Sequence, residues 1–148
     1  MRNLAELREV VKNIVTKENI VEAIIYRLYE MTKENKQNIL LETIPKSQTI
    51  LQTVFFNLKK KVPSLFTDFI FDESGVTPFS DDLDTVLFRL EASTILPALN
   101  PSYKNYDIAE SIDILQASYE KLKSDKEKID KCAEYFRDFL VKQQAELQ

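Results

Sequence analysis

The chain contains no histidine, and among its 148 residues it has one glycine and one cysteine. Without imidazole, Ser-His-Asp and Cys-His mechanisms are excluded, as are metal sites that depend on histidine. A single glycine, Gly75, cannot build a Walker loop or a dinucleotide fingerprint, because both need several glycines where backbone approaches phosphate. The lone Cys132 can form neither an internal disulfide nor a thiolate zinc cage, and its surroundings predict a small core hydrophobe. No uninterrupted apolar run approaches the roughly 18 residues of a membrane span, and "MRNLAELREVVKN" has no signal-like apolar core. The expectation is a cytoplasmic protein that does not engage a membrane.

What is present describes one globular domain. Apolar residues make up 44% and charged residues 30% of the chain, without low-complexity tracts. The formal charge is −4, from 20 basic and 24 acidic residues, which disfavours a polyanionic partner unless lysines gather on one face.

The apolar spacing is mostly helical. Leu4, Leu7, Val11 and Ile14, followed by Val21, Ile25 and Leu28, form a stripe over residues 4–34, with Asn19 and Glu22 spaced as a capping signature. "TKEN" occurs at 16–19 and again at 32–35 without further similarity around it, so it marks no structural repeat. A helix from about Ser47 to Lys61 would bury Ile50, Leu51, Val54, Phe55 and Leu58. Its final lysines, Lys59, Lys60 and Lys61, suit the negative end of the helix dipole and would equally suit a basic patch.

Phe66, Phe69, Ile70 and Phe71 suggest a short strand or irregular segment ending in a polar turn at Gly75. Ser80 is the expected N-cap of the next helix, with Asp81 and Asp82 in its first turn. At about 100° per residue, Leu83, Val86, Leu87, Leu90 and Thr94 share one face while Phe88 and Ile95 fall on another. This predicts a central helix covered on two sides, with Asp82, Thr85, Arg89 and Ser93 left to water. "NPSYKNYDI" suits a second short strand or wing. From Ile108, heptad spacing returns at Ile112, Leu115, Tyr119 and Leu122, then at Ile129, Ala133, Phe136 and Leu140. Ser124 and Glu127 are spaced as a capping box, so a hairpin of two helices is favoured over a single rod across 108–147.

Residues 45–108 contain a further pattern: Gly75, Pro78, Phe79 and Ser80, then Leu83, Leu87, Leu90, Ile95 and Leu96, then Tyr106 and Ile108. This stretch resembles the helical module of YwgA-type and Panacea-antitoxin-type prokaryotic proteins. Val76 and Thr77 separate its glycine from its proline, and Thr94 stands where that module has a second glycine. The resemblance implies a winged-helix-like core in proteins that act through partners or as regulators.

The fold expected is mainly α: a multi-helix bundle with a winged-helix-like middle and at most a short two-stranded β element. It forms one domain, with N-terminal helices over 1–44, the core over 45–108 and a C-terminal helical hairpin over 109–148. The function expected is a non-enzymatic regulatory or adaptor module acting through protein contacts, which self-associates through its terminal helices. Two alternatives compete, a winged-helix-like DNA-binding regulator and a divalent-metal enzyme using Asp72, Glu73, Asp81, Asp82 and Asp84. No catalytic residue, cofactor or metal ligand is assigned. The candidate interaction surface comprises Lys59, Lys60, Lys61, Arg89, Tyr103 and Tyr106. The rings of Tyr26, Tyr29 and Tyr119 would also suit base stacking, although core packing explains them more economically.

Overall fold

The computed structural model describes residues 15–34, 43–45, 47–97, 105–107 and 111–147; for 32–34, 43–45, 105 and 144–147 it describes the backbone alone. Within these residues the chain is mainly helical. The order is α1 (Lys17–Glu34), β1 (Thr43–Pro45), α2 (Gln48–Lys61), a 3-10 turn (Pro63–Leu65), α3 (Asp81–Ala92), β2 (Asn105–Asp107), α4 (Ile112–Lys121), a 3-10 turn (Lys123–Asp125) and α5 (Lys126–Leu147). The sequence readings at 4–14, at Tyr103 and at Ile108 lie outside the described residues.

The helix α1 starts three residues earlier than the Asn19–Glu22 signature suggested. Thr16 and Asn19 cap each other reciprocally: the Asn19 amide N–H donates to Thr16 Oγ1 at 3.2 Å, and the Thr16 N–H to Asn19 Oδ1 at 3.0 Å. The first "TKEN" is therefore a helix start. Glu22 is freed from capping and points inward. Ile20, Val21, Glu22, Ala23, Ile24 and Ile25 are all buried, and six consecutive positions cover every direction around the axis. α1, packed most extensively by α4 and α5, is the central helix.

The C-terminal segment is not one straight rod: the 3-10 turn Lys123–Asp125 separates α4 from α5, and the chain bends there. Tyr119 Oη donates to Asp130 Oδ1 at 3.0 Å, whereas residues eleven apart in one straight helix would stand about 16 Å apart. Leu115, Leu122, Ile129, Ala133, Phe136 and Leu140 are buried as the heptad spacing predicts. Cys132 is buried among them, and desolvation pushes its thiol up to about 12, so it behaves as a core hydrophobe.

No strand forms over 66–71. Phe66 and Phe69 instead point into the core, where Phe55 of α2 meets Phe66 edge-on at 6.2 Å and Phe136 of α5 at 5.8 Å. Strand β2 does form near the expected wing, but its partner lies ahead of α2. Thr43, Ile44 and Pro45 pair antiparallel with Asp107, Tyr106 and Asn105.

Candidate functional site: the exposed face of α3 and the lysine end of α2

The start of α3 is fixed by side chains that satisfy backbone groups. Ser80 is its N-cap, accepting from the Leu83 N–H at 3.2 Å. The buried Gln52 on α2 then clamps Ser80 from both sides: the Ser80 N–H donates to Gln52 Oε1 at 2.8 Å, and Gln52 Nε2 donates to the Ser80 carbonyl at 3.2 Å. Asp82 accepts from the Ile70 N–H at 2.9 Å and pairs with Lys17 Nζ of α1 at 2.8 Å. These two partners, the Ile70 bond foremost, hold its carboxyl below the usual range.

The other end of α3 is strained. Thr94 has φ 63°, a left-handed backbone conformation unusual for a β-branched residue. Its N–H donates to the Glu91 carbonyl at 3.0 Å and the Leu96 N–H reaches back to Leu90 at 2.9 Å, a closure in which glycine normally serves. Gly75, by contrast, has no positive φ, and a Cβ there would meet only the Thr77 carbonyl at 3.6 Å. The position that needs glycine's freedom is 94, where the chain has threonine.

Between these ends, Leu83, Val86, Leu87 and Leu90 are buried. The expected second covered flank is only half present. Ile95 packs against the core, but Phe88 is 69% exposed. Apolar spacing placed Phe88 on its own side of the helix, yet among the described residues no element arrives to cover that side. Asp81, Thr85 and Ala92 are exposed around it, and Asp84 is half-buried. Asp84 and Glu91, one turn before and one turn after Phe88, both raise the Tyr106 hydroxyl electrostatically. Burial is the larger cause, and together they push it to about 12. Tyr106 is 2% exposed, so it is a core residue and not part of an interaction surface. Arg89 is exposed but engaged, pairing with Glu18 at 3.0 Å.

The three lysines ending α2 are each placed by a neighbour. Lys59 Nζ donates to the Phe69 carbonyl, Lys60 Nζ lies 4.3 Å from the centre of the Phe56 ring, and Lys61 Nζ lies 5.0 Å from that of Tyr135. Beside them Phe56 and Phe71, with ring centres 5.5 Å apart, floor an open recess of about 320 Å³ bordered by Lys59, Lys60, Pro63 and Glu73. Between Phe71 and Ser80 the chain forms a small antiparallel bridge. The Asp72 N–H donates to the Phe79 carbonyl at 2.7 Å and the Phe79 N–H to that of Asp72 at 2.9 Å. This segment exposes Ile70, Phe79 and, at the tip of its loop, the fully exposed Val76.

Three of the five acids considered as metal ligands have local partners: Asp72 Oδ1 accepts from the Ser74 N–H, Asp82 holds Ile70 and Lys17, and Asp84 accepts from Gln48 Nε2. Among the described residues no three His, Cys, Asp or Glu side chains converge as a metal site requires. Tyr26 and Tyr119 meet at a tilt of 44° with ring centres 5.2 Å apart and, partly buried, pack against the core, as the packing explanation of these rings expects. No helix of the described residues is long and apolar enough to cross a membrane. No family model, curated protein or solved structure matches the chain.

Proposed function

We propose that the chain is a non-enzymatic regulatory or adaptor module that acts through protein–protein contacts. The observation carrying this reading is the exposed face of α3, where Phe88 stands in water with the half-buried Asp84 one turn and the exposed Asp81 two turns before it. A large aromatic ring bordered by carboxylates suits a partner that offers an apolar recess edged with cations. Aromatic anchors of this kind dominate the energy of protein interfaces.

A second reading is a winged-helix-like DNA-binding regulator. It is favoured by the element order helix–strand–helix–helix–strand, with β1 and β2 paired around α2 and α3. In that arrangement α3 would be the reading helix. Its exposed face argues against groove recognition, because base edges and phosphates call for cations and amides. Asp81 and Asp84 stand there instead, and the single cation Arg89 is taken by Glu18.

The two readings separate by photocrosslinking. A benzoylphenylalanine at position 88, introduced in the cell that makes the protein, is expected to label one recurring protein at a site lined by Lys or Arg. The same probe at the exposed position 134 should not. Adducts that disappear on nuclease treatment would replace the proposal with the DNA-binding reading, and labelling no stronger at 88 than at 134 would overturn both.

A further inference from the structure

The chain carries, on two of its own surfaces, both halves of the contact just described. One half is the Phe88 face of α3, bordered by the exposed Asp81 and the half-buried Asp84. The other is the recess floored by Phe56 and Phe71, with Lys59 and Lys60 at its edge and one acid, Glu73. Lys60 is exposed and already lies over the Phe56 ring, so the recess presents a cation and an aromatic floor together. Phe88 remains exposed in the folded chain and so does not fill this recess itself.

We infer that the partner for the Phe88 face is a second copy of this chain, whose Phe56–Phe71 recess receives Phe88 head to tail. The inference rests on the protein-contact reading above and deepens it. Charge complementarity supplies the direction: carboxylates flank the ring that enters, and lysines edge the recess that receives it. A third ring landing on two tilted ones gains aromatic contact beyond area burial. Because the two surfaces differ, the contact is heterologous. Each pairing leaves one face and one recess free, so copies add in a row unless a ring closes. A single aromatic anchor makes this a weak association, visible at high concentration and reduced by salt.

Sedimentation velocity of the full chain over rising concentration tests this with two substitutions at exposed positions. Phe88→Ser removes the entering ring but leaves the recess, and Lys60→Glu turns the recess against carboxylates but leaves the ring. Circular dichroism should show both variants folded like the parent. Each alone is expected to associate at least about tenfold more weakly than the parent. Mixed in equal amounts they should form a dimer and nothing larger, since one intact face meets one intact recess and both outer ends are blocked.

A parent that stays monomeric at every concentration overturns the inference, as does a variant that associates like the parent, which would place self-contact elsewhere, such as the terminal helices. A mixture that remains monomeric overturns it too. In each of these cases a crosslink from position 88 to a different protein would leave the broader reading standing.

Discussion

Helices α1 and α3 both carry apolar stripes and both touch one another's ends through the Lys17–Asp82 and Glu18–Arg89 pairs, yet they play opposite roles. α1 is covered all round between Ile20 and Ile25, and accommodates one acid, Glu22, inside its packing. α3 is covered on one side and leaves an aromatic ring, Phe88, in water. One helix has a polar group where apolar ones belong, and the other has an apolar group where polar ones belong. The first arrangement costs stability. The second costs solubility unless something covers the ring.

The sharpest test of the contrast is Glu22→Gln. Glu22 is 5% exposed, and desolvation raises its carboxyl from the ordinary 4.5 to about 7. Glu18 adds to the rise, while the Ser118 hydroxyl and Lys121 oppose it. A folded-state value above the unfolded one means that folding favours the protonated acid. Relative to the neutral state, stability is therefore intact below about pH 4.5 and is lost as pH climbs towards 7. Glutamine is neutral throughout and keeps an oxygen for Ser118. The variant should match the parent in urea unfolding at pH 4 and exceed it at pH 8 by up to about 3 kcal/mol. Equal stabilities at pH 8 would show that Glu22 is solvated after all.

The next effect concerns how α3 is held in place. Gln52→Leu fills the same space but leaves the buried Ser80 N–H without its acceptor, while the Ser80 carbonyl still receives the Asp84 N–H at 3.1 Å. One orphaned donor predicts a loss of about 2 kcal/mol, read from the urea midpoint at constant slope. A change within experimental error would mean that the clamp is incidental to where α3 starts.

Smaller, and opposite in sign, is Thr94→Gly at the far end of the same helix. A left-handed threonine costs roughly 1–2 kcal/mol, part of which glycine gives back through its greater freedom in the unfolded chain. A net gain of about 0.5–1 kcal/mol is expected, seen as a higher melting temperature. A loss would place the importance of Thr94 in its Oγ1 bond to the Ser93 carbonyl.

These sites differ in how far they could be read from residues alone, and the reason is distance along the chain. Ser80 was legible as a cap because it and the N–H it satisfies lie three residues apart. The buried stripes of α2 and α5 were legible because periodicity is local. Gln52 and Ser80 are 28 residues apart, and β1 and β2 about 60, so nothing in either neighbourhood announces the other. Glu22 was misread because a carboxylate three residues after Asn19 fits a cap as well as it fits a buried acid. The real cap, Thr16 with Asn19, was overlooked as part of a repeated tetrapeptide. Phe88 was misread because helical spacing says which side a residue faces, but only the arrival of another element decides whether that side is covered.

The smallest expected effect completes the comparison between the two helices. If α3's outer side is a surface held for a partner and not an unfinished core, then Phe88→Ser removes nothing that the isolated fold depends on. A residue 69% exposed has little apolar area left to lose, and substitutions at such positions stay within about 0.5 kcal/mol. Urea unfolding of dilute protein, where copies are apart, should therefore not distinguish the variant from the parent, although the two sediment differently when concentrated. A loss of 2 kcal/mol or more in dilute solution would show that Phe88 is packed within its own chain. α3 would then be a covered helix like α1, and the contrast on which its role as a contact surface depends would disappear.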